Sequence, residues 1–286
     1  MTNTNSPAKS SLSKDQQIIQ AHKLFSEIFV LKKSNKGRSP NLRLSDIATI
    51  TLIQSRYQIK TLKSLHTFLS YHYSNMFKLP AYQNFVISMN KNSMLLLQLM
   101  LYTLKINKNK LTKIKFIDST PVPVCKIYRS SRHKTMKLLA SKKKSTTGWF
   151  YGLKLHLMCD LKYNLTCFEF TTGSADDREV LDSFLNKIKF TNSILVADAG
   201  YVSKEYEVKA YKTGTYLLTV TRKNMKTLIT AYNNSCLNLR SKVETVFSIL
   251  KDRFRLITSI PRSINGYLAH YLRTLFMYVF NGLLIS

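Results

Sequence analysis

Apolar residues between positions 15 and 32 recur at helical spacing. Ile18, Ile19, Leu24, Phe25, Ile28 and Phe29 form the set and predict a short amphipathic helix. Arg43–Asn109 also reads as helical. Ser45 can cap a helix carrying Ile47, Ile50 and Ile53. Leu62, Leu65, Phe68 and Leu69 repeat at the same spacing, and Pro80 opens a further stretch with Tyr82, Phe85, Val86 and Met89. The run Met94–Leu104 completes this helical part. Tyr57, Tyr71, Tyr73 and Phe77 could stack on bases, but their helical spacing assigns them to a core. From Lys113 the period changes. Ile114–Ile117 is a short apolar strand ending at Asp118. Phe150–Met158 alternates, with Leu153, Leu155 and Leu157 on one face and Lys154 and His156 on the other. Leu165–Phe170, Ile194–Ala197 and Thr215–Val220 are further strands. A helix over Ser174–Lys187 opens with Asp176 and Asp177 near its positive end. From about Leu239 the chain is helical, broken at Pro261.

Strands and helices mixed in this order predict an α/β layer fold preceded by a small all-helical part. Three segments follow: residues 1–37 as an N-terminal tail and short helix, 38–110 as a helical DNA-binding region, and 111–286 as an α/β domain. Met1–Lys14 is Ser-, Asn- and Lys-rich, reads as a disordered tail, and lacks the apolar centre of a secretory leader. Lys32–Pro40 reads as a basic linker. The apolar runs Met94–Leu104 and Thr274–Ile285 are shorter than the roughly 20 residues that span a bilayer, so no membrane association is expected. Four cysteines without close spacing make neither a disulfide framework nor a zinc knuckle, and Cys125 and Cys167 are expected as small core residues. A reducing, cytoplasmic setting is the simplest one.

Charge changes the picture. The chain has 44 Lys and Arg against 15 Asp and Glu, a formal charge of +29. Abundant Lys, Asn, Ile, Tyr and Phe with little Gly suits an AT-rich gene, but that bias does not remove acids. Between Ile47 and Cys159 there is one acidic residue, Asp118, against 19 basic ones. A polyanion is the natural partner, because each neutralised phosphate releases counterions. Arg129, Arg132 and Lys134, with His133 among them, and the run Lys142-Lys143-Lys144 are candidate phosphate contacts. Trp149, the only Trp, is either core or a stacking platform.

Against this basic background three acids stand out. Asp118 and Asp198 each follow an apolar strand and precede small or turn-forming residues, where α/β sheets place their chemistry. Glu244 lies on a helix whose buried stripe is Val243, Val246, Phe247 and Leu250. Arg240 is four residues before it and Lys251 seven after, which puts a guanidinium, a carboxylate and an ammonium on one face. An i,i+4 salt bridge between Arg240 and Glu244 is the simpler reading. The functional reading is a ligand flanked by two phosphate-binding cations. Three hard oxygen ligands from separate elements suit a pair of Mg²⁺ (or Mn²⁺) ions. Two further candidates are Asp177, in a polar turn before a helix, and His156, which lies on the polar face of its strand and could touch DNA. Helix capping is the simpler role for Asp177, and a hydrogen-bonded structural role for His156.

Four stretches together resemble bacterial insertion-sequence transposases of the DDE type: Ile117–Cys125, Trp149–His156, Ala197–Tyr201 and Arg240–Lys251. The resemblance runs from about Leu44 to the C-terminus. It implies a ribonuclease H-like catalytic domain with Asp118, Asp198 and Glu244 as the catalytic, metal-binding acids. Arg240 and Lys251 match the basic residues of the related Tyr-Arg-Glu-Lys signature, whose Tyr position here holds Leu237. Only 45 residues separate Asp198 from Glu244, which leaves no room for a large inserted domain. The implied activity is cleavage of phosphodiesters at element ends and joining of the 3′-OH to target DNA. The implied partner is double-stranded DNA, held by a homodimer at the bacterial nucleoid. Two alternatives stay open: an inactive remnant that only binds DNA, and a host nuclease of the same fold.

Overall fold

The computed structural model describes residues 13–29, 41–146, 148–187, 192–220 and 230–283. Most of the expected tail and the linker Lys32–Pro40 lie outside them. The chain falls into two compact units, residues 1–96 with 276–286, and residues 97–275.

The first unit is helical: α1 Lys14–Phe29, α2 Leu44–Arg56, α3 Leu62–His72, α4 Tyr82–Lys91 and the start of α5 Ser93–Ile106. In α1 the buried residues are Ile18, Ala21 and Phe25, while Ile19 and Leu24 face solvent. The buried stripe is therefore narrower than the apolar set suggested, because a helix buries only the 3–4–7 row that meets its neighbour. Arg43, not Ser45, is the N-cap of α2: Asp46 Oδ2 accepts from the Arg43 amide at 2.7 Å and Ser45 is buried within the helix. Phe77 is core as expected. Tyr57 and Tyr73 are half-buried and both donate to Asp15 Oδ1, at 3.0 and 2.6 Å. Tyr71 corrects the expectation, being 80% exposed.

The second unit is built on a mixed sheet of six strands: β1 Ile114–Cys125, β2 Ser141–Ser145, β3 Gly148–Asp160, β4 Leu165–Thr172, β5 Ser193–Ala197 and β6 Thr215–Thr219. β1 is central, antiparallel to β3 and parallel to β5, which is parallel to β6. The far edge of β3 is shared: β4 pairs along Leu153–Cys159 and β2 along Gly148–Gly152. Apart from β2, three antiparallel strands (β1, β3 and β4) followed by two parallel ones (β5 and β6) form the sheet of the expected ribonuclease H-like arrangement. Helices α6 Asp177–Lys187 and α7 Lys204–Lys212 accompany it, followed by α8 Ala231–Asn238, α9 Ser241–Ser248, a π-helical turn Ile249–Arg253, and α10 Ile264–Leu283.

Two expectations about strands are overturned. β1 does not end at Asp118 but continues to Cys125. What ends there is its pairing with β5, whose last partners are Ile117 and Ala197. Beyond that point β1 has one neighbouring strand, which is where a sheet accommodates residues without an N–H such as Pro121 and Pro123. The second concerns the polar face of β3. Lys154 and His156 are buried, because α6 covers that side: Val180, Leu181 and Phe184 pack with Ile117, Met158 and Tyr201. By strand alternation, Asp118 and Thr120 face the opposite side, and α9 packs across β1 and β3. Cys125 and Cys167 are half-buried, whereas Cys159 and Cys236 are fully buried. No helix among the described residues is long and apolar enough to cross a membrane.

Candidate active site

The parallel register of β1 and β5 sets two of the three acids side by side. Ile117 pairs with Ala197, so Asp118 and Asp198 are the next residues at the same level. Each carboxylate accepts from the amide that follows it: Ser119 N to Asp118 Oδ1 and Ala199 N to Asp198 Oδ1, both at 2.7 Å. Glu244 joins them from the first turn of α9, which is held down by Val243, Val246 and Phe247. Burial decreases along the set, with side-chain exposures of 20% for Asp118, 48% for Asp198 and 55% for Glu244. Burial pushes the Asp118 carboxyl up to about 6; the Ser119 amide and the Arg240 charge oppose the rise, and the other two acids add to it.

Arg240, the residue before α9, lies among all three. Its Nη1 is 3.3 Å from Asp198 Oδ1 and 3.9 Å from Asp118 Oδ2, and its Nη2 is 3.2 Å from Glu244 Oε1. The i,i+4 salt bridge of the simpler reading is present, and the same guanidinium also reaches Asp118 in β1 and Asp198 just past the end of β5. Lys251 approaches from the other end of the helix. It sits in the π-helical turn, and its Nζ donates to Thr120 Oγ1 at 2.5 Å. Thr120 is two residues past Asp118 and on the same face. Burial holds the Lys251 ammonium below its usual value, opposed by Asp252 and Asp118.

Three carboxylates are the donor set a hard divalent cation takes. Among the described residues, however, no three His, Cys, Asp or Glu side chains stand close enough together to hold a metal ion. They are spaced around a guanidinium, which supplies positive charge at the point where the acids converge. The donor chemistry fits a divalent ion, and the positive charge among the three acids is that of Arg240.

The neighbouring candidates divide. Asp177 does not cap α6. Asp176 does so, accepting from the Arg178 amide at 3.0 Å, and Asp177 pairs instead with Lys154 at 2.9 Å. Lys154 also donates to the Ala175 carbonyl at 3.1 Å. His156 is fully buried, bonded through Nε2 to Thr171 Oγ1 at 2.9 Å, with Nδ1 3.5 Å from Asp177 Oδ1. Its burial lowers the imidazole to about 4, against the pull of Asp177, so it is neutral at physiological pH. The Tyr201 hydroxyl is buried and raised well above its usual value by desolvation and by Asp177 and Asp118. Lys154, Thr120 and Tyr201 were not singled out in the sequence. Their spacing from Asp177, Asp118 and Asp198 becomes informative only once the strands are paired.

The basic candidates are apart from the acids. Arg129, Arg132 and Lys134 are exposed, the first two in a 3-10 turn at Ile127–Arg132. His133 between them is half-buried against Tyr151 and Tyr267. Lys142, Lys143 and Lys144 form the exposed strand β2, an element the sequence pattern did not predict. Lys144 pairs with Trp149, which is 61% exposed and thus no core residue.

A family model described as the transposase DDE domain matches residues 108–264, which include every acid and cation of this site. No curated protein sequence matches the chain. Solved structures to which it is similar include a cryo-EM structure of a piggyBac transposase synaptic complex with hairpin DNA. There the identity is 9%, covering 94% of this chain and 73% of that one, with a TM-score of 0.46. A pre-cleavage Mos1 transpososome is 10% identical, with coverages of 94% and 98% and a TM-score of 0.24. The Mos1 mariner paired end complex with Mn is 12% identical, with coverages of 96% and 88% and a TM-score of 0.26.

Proposed function

The chain belongs to the transposase DDE domain family, and from that premise we propose that it is a DNA transposase of a bacterial insertion sequence. It cleaves phosphodiester bonds at the element ends and joins the resulting 3′-OH to target DNA. Its setting is the nucleoid in the cytoplasm, with two copies holding the two ends. The observation that carries the reading is that Asp118, Asp198 and Glu244, from β1, the end of β5 and α9, all lie within 4.0 Å of the Arg240 guanidinium.

Asp118, Asp198 and Glu244 are the residues that would hold two Mg²⁺ or Mn²⁺ ions. Such ions supply activation of the attacking oxygen and charge stabilisation of the leaving one. The chain's own part is positioning. Asp118 is the rigid ligand, fixed in the sheet centre and tethered to the Ser119 amide. Asp198 and Glu244 are more open and can adjust to the DNA. Lys251, anchored on Thr120, keeps a positive charge beside Asp118 for a phosphate. On the α6 side of the sheet, the pair Lys154–Asp177, neutral His156 and the buried Tyr201 hydroxyl form a polar layer that stiffens the strands carrying Asp118 and Asp198. Arg129, Arg132, Lys134 and β2 supply exposed cations for duplex DNA. No protein nucleophile is required, because water and the 3′-OH are the attacking groups.

The test uses the full chain, a duplex ending in the sequence that flanks the gene, and Mg²⁺ or Mn²⁺. End-specific nicking and strand joining are expected, lost in Asp118→Ala, Asp198→Ala and Glu244→Ala while DNA binding is retained. A folded wild-type protein that binds DNA in a salt-sensitive way but cleaves with neither metal is a DNA-binding remnant. Metal-dependent cleavage without end preference or joining is the host-nuclease alternative.

A further inference from the structure

Arg240 is the only cation among the described residues within 4.0 Å of Asp118, Asp198 or Glu244, and it reaches all three. An ordinary helix-surface pair would engage Glu244 alone. Here one guanidinium spans β1, the turn after β5 and α9, and offsets charge that would otherwise drive the acids apart. A divalent ion ligated by the same oxygens needs them at about 2.0–2.1 Å for Mg²⁺. A guanidinium among those oxygens cannot remain there, both for space and for like-charge repulsion. Its side chain is 27% exposed, and Arg240 is the N-cap residue of α9, where its side chain makes no capping hydrogen bond that leaving the acids would break.

We infer that Arg240 is an exchangeable counter-cation: it holds the three carboxylates together while the site lacks metal, is displaced when divalent ions enter, and is then free to take a DNA phosphate. The inference rests on the metal-site reading above and adds a coupling to it. Metal entry must release Arg240, so metal affinity without DNA is lowered. A phosphate that captures the released guanidinium returns that loss, which links metal loading to DNA binding. Arg240 is thus a positioning residue whose effect is visible in the absence of DNA and of turnover.

Two measurements on the full chain without DNA test it. The first is Mn²⁺ titration, by calorimetry and by electron paramagnetic resonance of free Mn²⁺, for wild type, Arg240→Gln and Asp118→Asn. Arg240→Gln is expected to bind Mn²⁺ at least about fivefold more tightly than wild type, the lower end of usual coupling strengths. The second uses wild type alone, so it does not depend on the variant folding. The rate of phenylglyoxal modification at Arg240, mapped by mass spectrometry, is expected to rise when Mn²⁺ saturates the site. Equal or weaker Mn²⁺ binding by folded Arg240→Gln, or an unchanged Arg240 reactivity at saturation, overturns the exchange while leaving the metal site standing. Absence of Mn²⁺ binding in wild type that Asp118→Asn removes overturns the metal site, and the exchange with it.

Discussion

Lys251 Nζ donates to Thr120 Oγ1 at 2.5 Å, joining residues 131 positions apart in the chain. Lys251 lies in the π-helical turn at Ile249–Arg253, a local widening that recurs at functional sites. Thr120→Val leaves a half-buried ammonium without this acceptor and is expected to lower stability by about 1–2 kcal/mol. Lys251→Met alone loses the same bond, and the double variant should recover at least about 0.5 kcal/mol of the summed losses. Urea unfolding of the four proteins checks this. Strict additivity would show that the bond contributes nothing.

His156 predicts a pH dependence. Its folded-state value, about 4, lies below its ordinary 6.5, so the unfolded chain takes up the proton first as pH falls. Its contribution is fully present above the ordinary value and is lost progressively toward the folded one. Going from about pH 7.5 to about pH 5, wild type should lose about 2 kcal/mol through this group. His156→Gln, which does not titrate, should show a correspondingly shallower loss in chemical unfolding at the two pH values. Parallel curves for the two proteins would place the pH sensitivity elsewhere.

Gly152 is required by close approach of two strands. A Cβ there would stand 2.2 Å from the Val122 carbonyl oxygen and 2.8 Å from Pro123 Cα, both backbone atoms that cannot rotate aside. Gly152→Ala should destabilise by at least about 3 kcal/mol or prevent folding. Gly200→Ala meets only Asp177 Oδ2 at 3.9 Å and should be tolerated within about 1 kcal/mol. Thermal unfolding of both variants gives the comparison.

The exposed strand β2 gives a prediction for binding alone. Replacing Lys142, Lys143 and Lys144 by Ala should leave thermal stability unchanged, since all three side chains face solvent. If they contact phosphates, the slope of log K against log salt should fall in magnitude by about 2 to 3. Trp149, beside Lys144 on the neighbouring strand, is the sole Trp and should emit as a water-exposed indole. Quenching of that emission by duplex DNA is expected, and a spectrum indifferent to DNA would remove this edge from the interface.

Periodicity and charge alone determined much here. Helices before about position 110 and five of the six strands among the described residues are legible because burial repeats with a local period, and the three acids stand out because acids are rare in this chain. β2 escaped, since Ser141–Ser145 has no apolar face and is a strand only because β3 offers it an edge. The length of β1 escaped for a related reason: Pro121 and Pro123 argue against a strand unless one edge has lost its neighbour. Lys154 and His156 read as a solvent-facing row, and only the docking of α6 turned them into buried partners of Asp177 and Thr171. Arg240 and Glu244 were visible as an i,i+4 pair because helical spacing is local. That the same guanidinium also reaches Asp118 and Asp198 was decided by sheet register and by the packing of α9 across β1, which bring together residues more than 40 positions apart. Spacing along the chain carries no information about such contacts.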